Sequence, residues 1–296
     1  MMTEPTQLRI SARNAGQAEL EKYCPRCCWY TMRIKKMPFQ FGVAGLMIYM
    51  EQIEKKFVLE YLSRFDTLPK YFGPFADCTG PVEFPYSMCQ EHSETGVLVT
   101  ARPDIILRKK NGEICLLDFK TSKPEGGGKE FLPQYEIQVI GYSWVSEQAG
   151  IGKVGTTGLV YCDVQRDVVL EDPMKYKTDA GIVVPFDFKM HEVDLDYSRL
   201  TKCLKEFNKL WKADRPPQGA DKCKDCARLT RLIDFENNLR ITDQRMYAAF
   251  PESRPFLISQ DYFRRLTRYL PAELDDELTD NHWDHDGGMW ANWDFS

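Results

Sequence analysis

The sequence predicts an α/β domain in which a mixed central sheet is flanked by helices. Three observations carry that prediction. Apolar residues recur at helical steps from Gly42 to Arg64, then give way to short aliphatic runs bounded by breakers between Gly96 and Lys120. A helical stretch follows at Leu132–Gln148. Two more strand-like runs and an amphipathic helix complete the order helix, three strands, helix, strands, helix, which is the order of a layered α/β domain.

Along the chain, Met32–Gln40 reads as a connector. In the first helix Leu46, Met50, Ile53 and Phe57 recur at steps of four, three and four, with Glu51, Glu54, Lys55 and Lys56 between them. Phe65–Ser93 carries prolines at 69, 74, 81 and 85 and reads as an irregular loop. Val97–Thr100, Asp104–Arg108 and Ile114–Lys120 read as strands. The last two are separated by Lys110-Asn111-Gly112, whose residues tolerate positive φ and so form a hairpin turn. Gly126-Gly127-Gly128-Lys129-Glu130 lacks the Ser or Thr of a phosphate loop and is expected to be a flexible lip. Thr157–Asp163 and Phe186–Val193 are strands, and Asp196–Lys212 is a helix with Leu200, Cys203, Phe207, Leu210 and Trp211 on one side. The expected organisation is a core domain over residues 1–226, a basic helical extension over 227–268 and an acidic aromatic tail over 269–296.

Asp104 and Asp118 lie on the two arms of the hairpin. A three-residue loop pairs Lys109 with Glu113 and, counting back, Asp104 with Asp118. Opposed residues share a face, with Cβ atoms about 4.5–5.5 Å apart, so the two carboxylates can share one hard cation. Lys120, two residues beyond Asp118, projects from the same face. A two-residue loop would split the three across both faces, so the chemistry favours the longer one. Two carboxylates on Mg²⁺ or Mn²⁺ with an ammonium beside them suit phosphodiester hydrolysis. The bland alternative is a surface Asp-Lys pair. The apolar neighbours Ile105, Ile106, Leu107, Cys115, Leu116, Leu117 and Phe119 weigh against it.

Pro103-Asp104 followed by Asp118-Phe119-Lys120 resembles the motif of the PD-(D/E)XK nucleases, in a setting similar to their RecB-like branch and to the CRISPR adaptation nucleases. Gln138 and Tyr142, one helical turn apart, match the Gln-x-x-x-Tyr motif those nucleases carry on the next helix. The resemblance implies a restriction-endonuclease-like core and a metal-dependent deoxyribonuclease acting on single strands or ends. Asp104, Asp118 and the Phe119 carbonyl would hold the metal, Lys120 would assist the attacking water, and Gln138 and Tyr142 would place DNA. Many RecB-like members carry a histidine on the first helix, and none is present here. Glu51 or Glu54 could take its place, although both read first as solvated charges balanced by Lys55 and Lys56. A nucleic-acid-binding or scaffold protein on the same fold, without strong catalysis, is the alternative.

Two Cys-x-x-Cys pairs, Cys24/Cys27 and Cys223/Cys226, bracket this core. Four such thiolates suit Zn²⁺ or a four-iron, four-sulfur cluster, with zinc favoured. Neither pair is expected to open a helix after a strand, which argues against a thioredoxin-like redox motif. The other cysteines read as small buried hydrophobes. A redox- or metal-sensing protein built on the cysteines is a third possibility.

The chain of 296 residues carries 39 basic and 44 acidic groups, a formal net charge of −5, which argues at first against a nucleic-acid partner. The tail alone contributes eight of the acids and no base, so residues 1–268 carry a net charge of +3, compatible with DNA. The tail's Trp283, Trp290 and Trp293 could dock a protein partner or compete with nucleic acid. No apolar stretch reaches the roughly 20 residues that span a bilayer, and no secretory signal is visible at the start, so a cytoplasmic protein without membrane contact is expected.

Overall fold

The apolar runs fold, among the described residues, into eight strands and seven helices. The computed structural model describes residues 7–34, 45–121 and 126–249. In order the elements are β1 (Arg9–Ser11), α1 (Ala12–Ala15), α2 (Pro25–Arg33), α3 (Gly45–Phe65), β2 (Cys78–Pro81), β3 (Met88–His92), β4 (Val97–Ala101), β5 (Ile105–Lys109) and β6 (Ile114–Lys120). They continue with α4 (Leu132–Gln148), β7 (Val154–Val164), α5 (Arg166–Glu171), β8 (Phe186–Val193), α6 (Tyr197–Trp211) and α7 (Lys224–Ala249). The chain forms two compact units, one running to Ala220 and the other starting at Asp221. The acidic tail, and the part of the basic extension beyond Ala249, lie outside the described residues.

The sheet expected from the sequence divides in two. β1, β4 and β3 form a three-stranded sheet, with β1 parallel and β3 antiparallel to β4. The other five strands follow the order β2-β5-β6-β7-β8, in which β6 and β7 are the parallel pair. Val97–Thr100 therefore belongs to a different sheet from the hairpin it precedes. The chain leaves β4 through Arg102-Pro103-Asp104, and a proline there cannot continue a ladder. Both β2 and β3 fall within the stretch expected to be an irregular loop. Gly80 and Pro81 disguise β2, while polar Gln90 and Glu91 disguise β3.

The hairpin has the register that the carboxylate argument required. Ile105 pairs with Leu117, Leu107 with Cys115 and Arg108 with Ile114. The Lys109 N–H donates to the Glu113 carbonyl at 2.9 Å, and the Gly112 N–H closes the turn on the Lys109 carbonyl at 3.0 Å. Gly112 has φ of 86°, a region that glycine enters without a Cβ penalty. This leaves Lys110, Asn111 and Gly112 as the loop.

β6 separates two cores. Ile114 and Leu116 pack into one with Ile106 and the α4 residues Ile137, Ile140 and Val145. Cys115, Leu117 and Phe119 pack into the other with Val58, Leu62, Phe72 and Phe75. A strand buried on both faces reads as a continuous apolar run, and the polar residues at its end stand out against it. In the first core, α4 lies against α1 at Gly141, where a Cβ would come within 2.5 Å of the Ala12 Cβ.

The stripe that α3 buries differs from the expected one. Glu54, Val58 and Leu62 are buried, whereas Ile53 is 60% and Phe57 39% exposed. The two stripes lie about 100° apart on the helix, and both contain apolar residues at steps of four. Phe57, Tyr61 and Phe65 form an outer row of rings, with Phe57 5.5 Å from the Phe188 ring of β8. Gly126–Phe131 forms a 3₁₀ turn. Helices α4 and α6 agree with their expected bounds to within a residue, and the Asp196 side chain caps α6 through the Ser198 N–H.

Between β7 and β8 the chain runs out through α5 and returns. Its neck is closed by the Gln165 N–H donating to the Pro185 carbonyl at 3.0 Å. No residue of α5 is buried, and Leu170 and Met174 are exposed. No described helix is long and apolar enough to cross a membrane.

Candidate active site

Strand β6 delivers Asp118 and Lys120 to its carboxyl end, and the same ladder brings Asp104 beside them. Asp104 lies one residue before β5, in a bend, and its Oδ2 accepts the Phe119 N–H at 2.8 Å. Its Oδ1 meets Lys55 Nζ of α3 at 2.8 Å. The Lys55 ammonium also holds Glu51, one turn back on the helix, at 2.6 Å. Burial lowers the Lys55 pKa, but these two carboxylates outweigh it and the net shift is upward.

Asp118 is 3% exposed. One oxygen pairs with Lys120, and Oδ1 accepts from Gln138 Nε2 at 3.0 Å. Gln138 completes a closed circuit. Its Nε2 also donates to the Tyr142 hydroxyl at 2.8 Å, while its Oε1 accepts from Lys120 Nζ at 2.9 Å. Lys120 lies 4.2 Å from the centre of the Tyr135 ring, a cation–π contact. Burial pushes the Asp118 carboxyl up to about 6; the Lys120 ammonium opposes the rise and the Asp104 charge adds to it. Burial also raises the Tyr142 phenol far above its usual range, with the two aspartates adding to the effect, so the hydroxyl keeps its proton.

Glu54 is the residue that sequence reasoning undervalued. It is 1% exposed, and the donor described beside its oxygens is the weakly donating Cys162 thiol. Burial raises its pKa, the neighbouring Cys162 thiol opposes this, and the Asp104 and Glu51 charges push it further up. A buried carboxylate without strong donors costs several kcal/mol unless a proton or cation compensates it. The available signal was its position four residues before Val58 and eight before Leu62. The Asp104 charge acts on both Glu54 and Asp118 and raises the pKa of each. Hard oxygen donors of this kind fit a divalent cation such as Mg²⁺ or Mn²⁺.

Gln138 and Tyr142 are buried. Their hydrogen bonds run to Asp118, Lys120 and each other, so they hold the carboxylate and the ammonium in place.

The cysteine pairs each open a helix. Cys24 caps α2, with the Cys28 N–H on its carbonyl at 3.1 Å, and its sulfur accepts the Ala220 N–H at 3.3 Å. Nearby, Trp29 Nε1 donates to the Ala213 carbonyl at 3.0 Å, and the Arg33 guanidinium donates to the Trp211 and Ala213 carbonyls at 2.9 Å each. In the second unit, the Ala227 N–H donates to the Cys223 carbonyl at 3.1 Å, and Cys226 falls in the first turn of α7. Each pair opens a helix, and no strand runs directly into either, so the strand-then-helix arrangement of a thioredoxin-like motif is not seen at these pairs. Helix amino termini favour thiolates over thiols.

A model of the PD-(D/E)XK nuclease superfamily matches residues 35–231, two thirds of the chain. No curated protein sequence matches it. Among solved structures, the crystal structure of SSO0001 is similar over 73% of this chain and 82% of its own, at 16% identity and a TM-score of 0.37.

Proposed function

The chain belongs to the PD-(D/E)XK nuclease superfamily, and from that premise we propose that it is a metal-dependent deoxyribonuclease acting on single strands or ends. One observation carries this reading. Within a buried ladder, two aspartates and a lysine meet at the end of one strand, and a glutamine satisfies both the second aspartate and the lysine. Asp104, Asp118 and the Phe119 carbonyl are the ligands for Mg²⁺ or Mn²⁺, and Glu54 takes the place of the first-helix histidine. The bound metal supplies Lewis-acid polarisation of the phosphodiester and a more acidic water. Lys120 orients that water and offsets negative charge in the transition state. Gln138 and Tyr142 are positioning residues that act through Asp118 and Lys120.

The test is cleavage of supercoiled plasmid and of end-labelled single strands. Activity should require Mg²⁺ or Mn²⁺, stop on chelation and disappear in Asp118→Asn. Cleavage that persists in that variant refutes the assignment. Metal-independent DNA binding without cleavage would support the non-catalytic alternative.

We further propose, from the spacing of the two Cys-x-x-Cys pairs in the sequence, that Cys24, Cys27, Cys223 and Cys226 are zinc ligands. Purified protein should be colourless, with about one zinc per chain, and Cys24→Ser should lose it. A brown sample with iron and sulfide would instead establish a cluster. Protein with neither metal would leave the pairs as helix-capping thiols.

A further inference from the structure

Lys55 is tied to the carboxylates differently from Lys120. Lys120 is fixed on the same strand as its aspartate, with Gln138 on one side, the Tyr135 ring on another and little exposure. Lys55 comes from a separate helix and is more exposed than Lys120, and its ammonium is shared between Asp104 at 2.8 Å and Glu51 at 2.6 Å. Both oxygens of Asp104 are engaged, Oδ2 by the Phe119 N–H and Oδ1 by Lys55. A cation approaching Oδ1 therefore meets an ammonium already there, whereas the backbone bond to Oδ2 can remain.

We propose that Lys55 is the resident counter-ion of Asp104, which a divalent cation must displace, and that Glu51 receives the ammonium when it leaves. The proposal rests on the metal reading of Asp104 and Asp118. The exchange needs no movement of Asp104, because the Phe119 N–H keeps the carboxylate in position. It needs only rotation of a long, flexible side chain toward a partner it already touches. Glu51 is four residues before Lys55 on the same helix face, a spacing that holds an ion pair without help from the sheet. Lys55 is thus a positioning residue that sets the metal affinity of the site, and the Glu51–Lys55 pair sets how readily it yields.

Binding of Mn²⁺ alone, without nucleic acid, tests this by titration calorimetry or by the spin resonance of the free ion. Lys55→Met is expected to tighten Mn²⁺ binding about tenfold, since it removes a competing charge at contact distance. Glu51→Gln is expected to weaken binding several-fold, because Lys55 then holds Asp104 alone. In the double variant Glu51→Gln should have almost no further effect, because Glu51 acts through Lys55. Lys56→Met, which removes the same charge from the exposed neighbouring position, is the control and should bind like wild type.

Unchanged or weaker binding in Lys55→Met overturns the proposal. So does a Glu51→Gln effect that persists undiminished without Lys55, since that would be general electrostatics. Circular dichroism checks that each variant is folded, and Glu51→Gln tests the idea even if Lys55→Met is not. Wild-type protein that binds no Mn²⁺, or an Asp104→Asn/Asp118→Asn variant that binds it equally well, would instead remove the metal reading itself.

Discussion

Lys120→Ala should lower metal-dependent DNA cleavage by about a thousandfold while leaving the protein folded, a loss of about 4 kcal/mol of transition-state stabilisation. The ammonium contacts Asp118, the Gln138 amide oxygen and the Tyr135 ring at once, so its position is fixed by three groups. Removing it leaves Asp118 with the Gln138 hydrogen bond and no neutralising charge, so Mn²⁺ should bind the variant at least as tightly as wild type. Single-turnover rates and Mn²⁺ titrations on the same preparation separate the two effects. A variant that loses cleavage and metal affinity together would show Lys120 to be structural. One that keeps its rate would exclude it from the chemistry.

Gly141→Val should destabilise the protein by about 3 kcal/mol or more, enough to lower its melting temperature by several degrees. A Cβ at this position would come within 2.5 Å of the Ala12 Cβ, and both residues belong to rigid helical backbone. Neither helix can yield without disturbing the core that α4 shares with β6. Gly141 also lies between Gln138 and Tyr142, so any shift of α4 moves the Gln138 amide away from Asp118. Thermal melts should show the loss of stability, and residual activity per folded molecule should fall as well. A variant as stable as wild type would mean that α1 moves aside freely.

How much of this was legible in the sequence depended on whether a residue's neighbours were local. The turn residues located the hairpin and the requirement that Asp104, Asp118 and Lys120 share one face chose its register, while helices α4 and α6 followed from uninterrupted periodicity and breakers on either side. The buried face of α3 did not follow. Ile53, Phe57 and Tyr61 form one apolar stripe, and Val58 and Leu62 form another beginning with a glutamate, so hydropathy selects the wrong one. Only the sheet beneath decides, and it buries Glu54 beside Asp104. The division into two sheets was hidden for the same reason. β1 is three residues long and is recognisable only when paired with β4, some 90 residues away. Gln138 and Tyr142 were found by motif, but their inward hydrogen bonds could not be read from spacing.

The neck between β7 and β8 has a consequence for how such a molecule can diversify. Gln165 and Pro185 are joined at the base of the excursion that carries α5. The side-chain hydrogen bonds, ion pairs and ring contact described for Asp104, Asp118 and Lys120 are made by residues 55–138, outside the excursion. Doubling the length of a loop adds only about 0.6 kcal/mol of closure cost. The outer segment can therefore lengthen, shorten or be replaced in descendants of this chain while the β5–β6 ladder keeps its register, so novelty can accumulate at one tip of the sheet without disturbing the proposed site.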